Sequence, residues 1–265
     1  MKAANLAKAR ILVTNDDGIH APGLLALTEI AEQLSSDVWV VAPEVNQSGA
    51  GHSLSLSRPI RSREVSEHRY AIEGTPTDCV LFAVKHLLKD RKPDIVLSGV
   101  NRGTNIADDV TYSGTIVAAM EGCLLGIPSI AFSQAYTHDH PVKWGTATAH
   151  GAAVARRVLA LDWPRNVLIN INFPDVVAGS VKGVRVTHQG NRGFGGYIIE
   201  RHDPRGGSYY WIGYQPQERE IDEASDIAAV RAGYVSVTPL HLDLTHEAMR
   251  RKLVAEFEPA PAKAE

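Results

Sequence analysis

The sequence predicts an α/β fold, a doubly wound and mostly parallel sheet, and three observations carry that expectation. Short aliphatic runs without polar alternation recur at 11–13, 38–41, 95–97, 130–132 and 167–169, the pattern of strands covered on both faces. Segments with apolar residues at helical spacing separate them, as strand–helix alternation in a parallel sheet requires. Polar, glycine-bearing stretches follow directly on the strands, and ligands of open α/β sheets bind just beyond the strands' carboxyl ends.

Composition bounds the possibilities. A chain of 265 residues buries a full core. A net charge of -3 gives no basic footprint for nucleic acid, so no nucleic-acid partner is expected. Cys79 and Cys123 both fall in helical patterns, which excludes a disulfide framework and suits a reducing compartment. No apolar stretch reaches the roughly 18 residues of a membrane span. The first ten residues lack a secretory apolar region, so the expectation is a cytoplasmic protein without a membrane partner.

In chain order, Ile11–Val13 is a strand that ends in Asn15-Asp16-Asp17-Gly18. Leu27, Ile30, Ala31 and Leu34 mark a helix, and Asp37–Val41 a second strand. The loop from Glu44 to Pro59, with Gln47-Ser48-Gly49-Ala50-Gly51-His52-Ser53 at its centre, can turn backbone N–H groups towards one point as an anion nest, or serve as a flexible linker. Residues 60–64 and 69–73 alternate around a turn and predict an edge hairpin. Thr75-Pro76-Thr77-Asp78 starts a helix, with Thr75 as N-cap, Pro76 in the first turn and Asp78 completing a capping box; Val80, Ala83, Val84 and Leu87 form its apolar face. Asp94–Leu97 is the third strand and opens into Ser98-Gly99-Val100-Asn101-Arg102-Gly103. Tyr112-Ser113-Gly114-Thr115 begins a helix whose Val117, Met120 and Leu124 are expected to face the sheet. Its free N–H groups make a phosphate site, although Ser113 suits ordinary N-capping equally.

Residues 128–132 and 167–169 are the fourth and fifth strands, with Val154, Val158 and Leu161 on the helix between them. His138-Asp139-His140 reads as a solvated turn. No P-loop pattern occurs, and Gly190, Gly193, Gly195 and Gly196 do not open a helix after a strand, so a dinucleotide fingerprint is absent there. From Val184 the texture changes. Residues 191–214 hold Phe194, Tyr197, Tyr209, Tyr210, Trp211 and Tyr214 around Asp203-Pro204-Arg205-Gly206-Gly207, the pattern of a long projecting hairpin. Such aromatics suit a second copy of the chain, or folding back over the pocket. A helix over 226–232, a strand over 234–238, a charged helix over 245–257 and a frayed tail over 259–265 complete a single domain, with residues 1–183 as core and 184–258 as hairpin and C-terminal elements.

Function centres on Asp16 and Asp17. If they converge to roughly 4 Å they repel by about 4 kcal/mol at an effective dielectric near 20, so either a cation lies between them or one pKa rises. Oxygen ligands on a loop select Mg²⁺ or Mn²⁺, while the same residues also suit a plain Asn-Asp-Asp-Gly turn. Asp16 and Asp17, Ser48 with its glycines, and Asn101 all follow strand ends on one rim.

Over nearly the whole chain the sequence resembles the SurE (survival protein) family of metal-dependent 5'-nucleotidases. The resemblance runs through Val13-Thr14-Asn15-Asp16-Asp17-Gly18-Ile19, Ala21-Pro22-Gly23, Val41-Ala42-Pro43, Gln47-Ser48-Gly49, Ser98-Gly99-Val100-Asn101-Arg102-Gly103, Tyr112-Ser113-Gly114-Thr115, residues 126–131 and residues 233–240. It implies one divalent metal per subunit held by Asp16, Asp17, Ser48 and Asn101, with substrate phosphate near Asn101, Ser113, Gly114 and Thr115. It also implies a Rossmann-like core, nucleoside monophosphate substrates, and homodimers or homotetramers that exchange C-terminal elements. Thr104, Ile106 and Ala107 depart from the family pattern beside the pocket. For Asp16 and Asp17 the residues suggest catalytic roles, with Asp16 orienting or deprotonating an attacking water, or a phosphoaspartate as the rival route. Monophosphates at the 3' position and polyphosphate are further candidate substrates. A non-catalytic nucleotide or polyphosphate sensor using the same rim is the alternative function.

Overall fold

The computed structural model describes residues 3–162, 164–193, 195–214 and 221–258, without the side chains of Ala3, Ala4 and Tyr214. Phe194 and the expected frayed tail over 259–265 lie outside the described residues. A short helix α1 (Ala3–Leu6) leads into β1 (Arg10–Thr14), α2 (Pro22–Glu32) and β2 (Asp37–Pro43). The hairpin of β3 (Ser62–Ser66) and β4 (Arg69–Ile72) precedes α3 (Pro76–Phe82), β5 (Ile95–Arg102), α4 (Gly114–Leu124), β6 (Ser129–Gln134), α5 (Trp144–Leu159) and β7 (Val167–Phe173). Then come β8 (Val184–Val186), β9 (Gly196–His202), β10 (Ser208–Tyr214), α6 (Asp226–Arg231), β11 (Val235–His241) and α7 (Glu247–Phe257).

Among the described residues, nine strands form one sheet in the order β3-β4-β2-β1-β5-β6-β7-β11-β8, and β9 with β10 forms a separate ribbon. Neighbours from β4 to β7 are parallel. The edges depart from this: β3 runs antiparallel to β4, and β11 antiparallel to β7. Alternation across β1 shows why its run is uniformly apolar. Ile11 and Val13 pack on one face with Leu24, Leu27 and Ile30 of α2 and Ala147, Ala152 and Ala155 of α5. Leu12 points the other way, to Val80 of α3 and Ala118 of α4. Helices thus cover both faces, and the doubly wound expectation holds.

The chain leaves β1 towards β2 on one side and returns to β5 on the other. This reversal opens a crevice at the carboxyl ends of β1 and β5, the place where such sheets bind ligands. Thr75 caps α3 with the expected capping box, but the following turn over Ala83–Leu87 is wound as π-helix, which leaves Leu87 only half-buried.

Two expected core positions face solvent. In α4, Ile116, Ala119 and Cys123 meet the sheet; Leu124 lies one residue, or about 100° of helix, further round and is 62% exposed. Leu161 falls beyond the end of α5 and is 66% exposed. The C-terminal part also divides differently from its sequence texture. Strands β8 and β11 join the main sheet, and α6 packs Ile227 and Val230 against Ile106, Ala107 and Ala135. Among the described residues, only the β9–β10 ribbon and α7, which buries no residue, stand off the core. No described helix is long and apolar enough to cross a membrane.

Candidate active site

The site begins where β1 runs out. Asn15 folds its side chain over the next turn, donating from Nδ2 to Gly18 O at 3.0 Å and accepting from Gly18 N at 3.2 Å. Gly18 adopts φ +106°, a conformation open to glycine and costly for other residues. The curl brings Asp16 and Asp17 to the carboxyl end of the sheet. It is stitched to the loop after β2 by Ile19 N to Pro43 O at 2.7 Å and Gln47 N to Asp16 O at 2.8 Å.

Helix α4 arrives from the other side of the crevice. Ser113 caps it, accepting from Ile116 N at 3.1 Å. Gly114 presses so closely on β1 that an added Cβ would lie 2.6 Å from Asp16 Cβ, so only glycine admits this approach. Thr115 is wholly buried, and its hydroxyl donates to Asp16 Oδ1 at 2.5 Å. Besides the phosphate contact expected of it, Thr115 serves Asp16. Its side-chain and backbone bonds both go to Asp16, so it braces the carboxylate.

Asn101 and Arg102 come from the end of β5, where the register against β6 slips between Ser98 and Asn101. Gly99 makes the slip possible, since a Cβ there would lie 2.2 Å from Phe132 O. Asn101 Nδ2 donates to Gly103 O at 3.0 Å, which commits the amide nitrogen and leaves the carbonyl oxygen as its donor atom towards a cation. Arg102 N donates to Asp17 Oδ2 at 3.3 Å. Ser48 sits in an Asx turn, its N–H donating to Asn46 Oδ1 at 2.7 Å, and Gly49 and Gly51 follow with positive φ. The rest of this loop is tied down by Thr75 Oγ1 donating to Ser53 O at 2.7 Å, Ser55 N donating to Asp78 Oδ1 at 3.0 Å and a 3.2 Å pair of His52 Nε2 with Glu121 Oε2.

Asp16, Asp17, Ser48, Asn101, Ser113 and Gly114 therefore line one cleft of about 280 Å³. Arg102, Thr104, Asn105, Asp109 and Tyr112 line it as well, none of which was assigned a role from sequence. For Asn105 a signal exists. Asn170 and Asn172 interrupt the aliphatic run of β7, and both donate to Asn105 O, at 2.7 and 3.1 Å; buried amides in a central strand need such a partner. Asp109 is ion-paired with Arg192. His138, Asp139 and His140 stay outside the cleft, with His140 3.3 Å from Asp175, as expected of a surface turn.

Electrostatics distinguish the two carboxylates. Burial, with a smaller contribution from the charge of Asp17, pushes the Asp16 carboxyl up to about 6 against the hydrogen bonds from Thr115. Burial also raises Asp17, opposed by the Arg102 N–H and guanidinium. A divalent cation beside them would favour both charged forms. The donors available to one are all oxygen: two carboxylates, the Ser48 hydroxyl and the Asn101 carbonyl, a set that fits Mg²⁺ or Mn²⁺. Among the described residues no group of three or more His, Cys, Asp or Glu could hold a metal, so the fit depends on the two neutral donors.

Known proteins share this arrangement of sequence and fold. The family model described as Survival protein SurE matches residues 11–195. A protein of Paramagnetospirillum magneticum named 5'-nucleotidase SurE is 58% identical over 254 residues, 96% of this chain and 98% of that one. Another of the same name from Parvibaculum lavamentivorans is 54% identical over 256 residues, 96% of this chain and 92% of that one. The crystal structure of the SurE protein from Aquifex aeolicus matches with a TM-score of 0.81 at 40% identity, covering 93% of this chain and 99% of that one. With the family model spanning most of the core and relatives of this identity spanning nearly its whole length, the chain belongs to the SurE family.

Proposed function

We propose that this protein is a divalent-metal-dependent phosphatase that hydrolyses nucleoside 5'-monophosphates to nucleoside and phosphate. One observation carries the reading: two carboxylates line a polar cleft at the sheet's reversal point, and the buried one, Asp16, is held against the first turn of α4. A pure phosphate binder gains nothing from two anions there, whereas a cation-assisted hydrolase needs them. The relatives named 5'-nucleotidase SurE support the substrate class.

Asp16, Asp17, Ser48 and Asn101 would hold the ion. When bound there, Mg²⁺ or Mn²⁺ supplies charge neutralisation and an acidified water. The chain's own groups do the rest. Ser113 and Gly114 offer the helix N-terminus to the phosphoryl oxygens, where anions are favoured. Asp16, braced by Thr115, orients the attacking water or takes its proton. Asp17, fixed by Arg102 N, keeps the second negative charge in place. The cytoplasm suits the two buried free thiols, and the exposed β9–β10 ribbon supports self-association as a dimer or tetramer.

The test is inorganic phosphate release from a panel of 5'- and 3'-monophosphates and polyphosphate, by metal-stripped protein with and without added Mn²⁺ or Mg²⁺. Release that needs metal, prefers 5'-monophosphates and falls about a hundredfold or more in Asp16→Asn is the expected result, in line with loss of one electrostatic catalytic group. No release from folded, nucleotide-binding protein would leave a sensor. A trapped acyl phosphate on Asp16 or Asp17 would replace water attack by a phosphoaspartate route.

A further inference from the structure

A second and larger hollow adjoins the cleft. Beyond the shared wall of Asp17 and Arg102 lies a cavity of about 410 Å³, against about 280 Å³ for the cleft itself. Small-molecule sites typically span roughly 300–1,000 Å³. The hollow falls within that range and has room for an organic group.

The two differ in chemistry as well as size. Thr104, Asn105 and Asp109 make the far rim of the cleft polar. Beside the shared Asp17 and Arg102, the hollow is bounded by Ala21, Pro22, Gly23, Val142 and Trp144, with Asn46 as a further polar side chain. Trp144, at the start of α5, packs partly against the core. Its indole lies on the backbone of Gly23, where an added Cβ would come within 3.0 Å of Cη2 and 1.9 Å of Val100 O. Arg102 is fixed in the same way, with its guanidinium 4.8 Å from the centre of the Tyr136 ring. Both walls of the hollow are thus held in place before any ligand arrives.

We infer that this hollow receives the nucleoside half of the substrate, with the base against Trp144 and the phosphate in the cleft at Asp16 and Asp17. The inference rests on the phosphatase reading above and assigns its specificity. Flat heterocycles bury their faces against aromatic side chains without regard to base identity, so the hollow predicts a broad base preference. Arg102, which lines both cavities, is placed to meet the ribose. A monophosphate spans both cavities, whereas inorganic phosphate fills only the cleft. Tyr112 is the competing platform, but it lies at the open mouth of the cleft and is 52% exposed.

The experiment compares kcat/KM for AMP with kcat/KM for p-nitrophenyl phosphate, which carries no nucleoside, using the full chain with Mn²⁺. Trp144→Ala is expected to lower the ratio about tenfold, Trp144→Phe to restore most of it, and Val142→Trp, which fills the hollow from a surface loop, to lower it again. A ratio unchanged in Trp144→Ala and Val142→Trp, or one lowered by Tyr112→Ala instead, would overturn the assignment. Adenosine binding, followed by ligand-observed NMR, reads the hollow without turnover. If the wild-type protein hydrolyses neither ester, the phosphatase reading fails and adenosine decides alone. Binding weakened about tenfold in Trp144→Ala sustains the pocket; equal binding, or none to the wild type, removes it.

Discussion

Asp16 sits in surroundings that disfavour its own charge, and this has a consequence for stability. Burial is the largest cause, and Asp17 adds to it. Because the folded carboxyl titrates near 6 and its ordinary value is 3.8, the folded, metal-free protein holds this proton more tightly than the unfolded chain. The stability contributed by this group is complete below the ordinary value and is lost as pH rises through 6. Its full size is about 3 kcal/mol at 1.36 kcal/mol per pH unit, roughly half of it falling between pH 5 and 7.5. Urea unfolding of EDTA-treated protein should therefore show Asp16→Asn losing less stability than wild type over that interval, by on the order of 1 kcal/mol. The same variant should be inactive. Equal pH dependence in the two proteins would show that Asp16 does not carry the raised carboxyl. Activity and stability pull in opposite directions at this residue, as they do at many strained sites.

At the scale of elements, the start of α3 does two jobs. Thr75 and Asp78 satisfy each other across the first turn, Thr75 Oγ1 accepting from Asp78 N at 3.1 Å and Asp78 Oδ2 from Thr75 N at 2.9 Å. The same two side chains also hold Ser53 and Ser55, and so the loop that carries Ser48. Thr75→Ala should cost about 1–2 kcal/mol as a lost cap, read from urea unfolding. It should also speed chymotryptic cleavage at Leu54 and Leu56, which are 44% and 87% exposed on that loop. Thr75→Ser keeps the hydroxyl and should restore both. A variant destabilised but cut no faster would mean that the loop is held from its other end, through His52 and Glu121.

At the scale of the whole molecule, the β9–β10 ribbon and α7 carry apolar surface that the core does not use. Tyr210 and Trp211 are 61% and 62% exposed, and Leu253 and Phe257 of α7 are exposed too. Aromatic residues of this kind anchor interfaces, and a stable interface buries roughly 1,600 Å². The ribbon is also bound to the site at its root. Asp108 accepts from Arg192 N and Gly193 N at 3.0 and 2.8 Å, and buried Asp226 accepts from both Ala107 N and Gly190 N. Replacing residues 197–213 by a short Gly-Ser turn should reduce the mass in solution from a dimer or tetramer to a monomer, measured by light scattering after gel filtration. An unchanged mass would place the interface elsewhere.

The strands, the capping of α3 and α4, and the rim formed by Asp16, Asp17, Ser48 and Asn101 are legible in the sequence because they are local. An uninterrupted aliphatic run, a Thr-Pro-x-Asp start and a polar group after a strand each state their role within a few residues. What the tertiary structure decides is which of these groups meet. Thr115 reaches Asp16 across 99 positions of sequence, and only because Gly114 lets α4 close on β1 does its hydroxyl turn to the carboxylate. Asn105 is drawn into the cleft by Asn170 and Asn172 of β7, Leu124 is turned outward by one residue of helical rotation, and β11 enters the sheet antiparallel. Trp144 packs on Gly23, which leaves room for its ring. All but the rotation of Leu124 follow from close approach between distant segments, which hydrophobic period and turn chemistry do not encode.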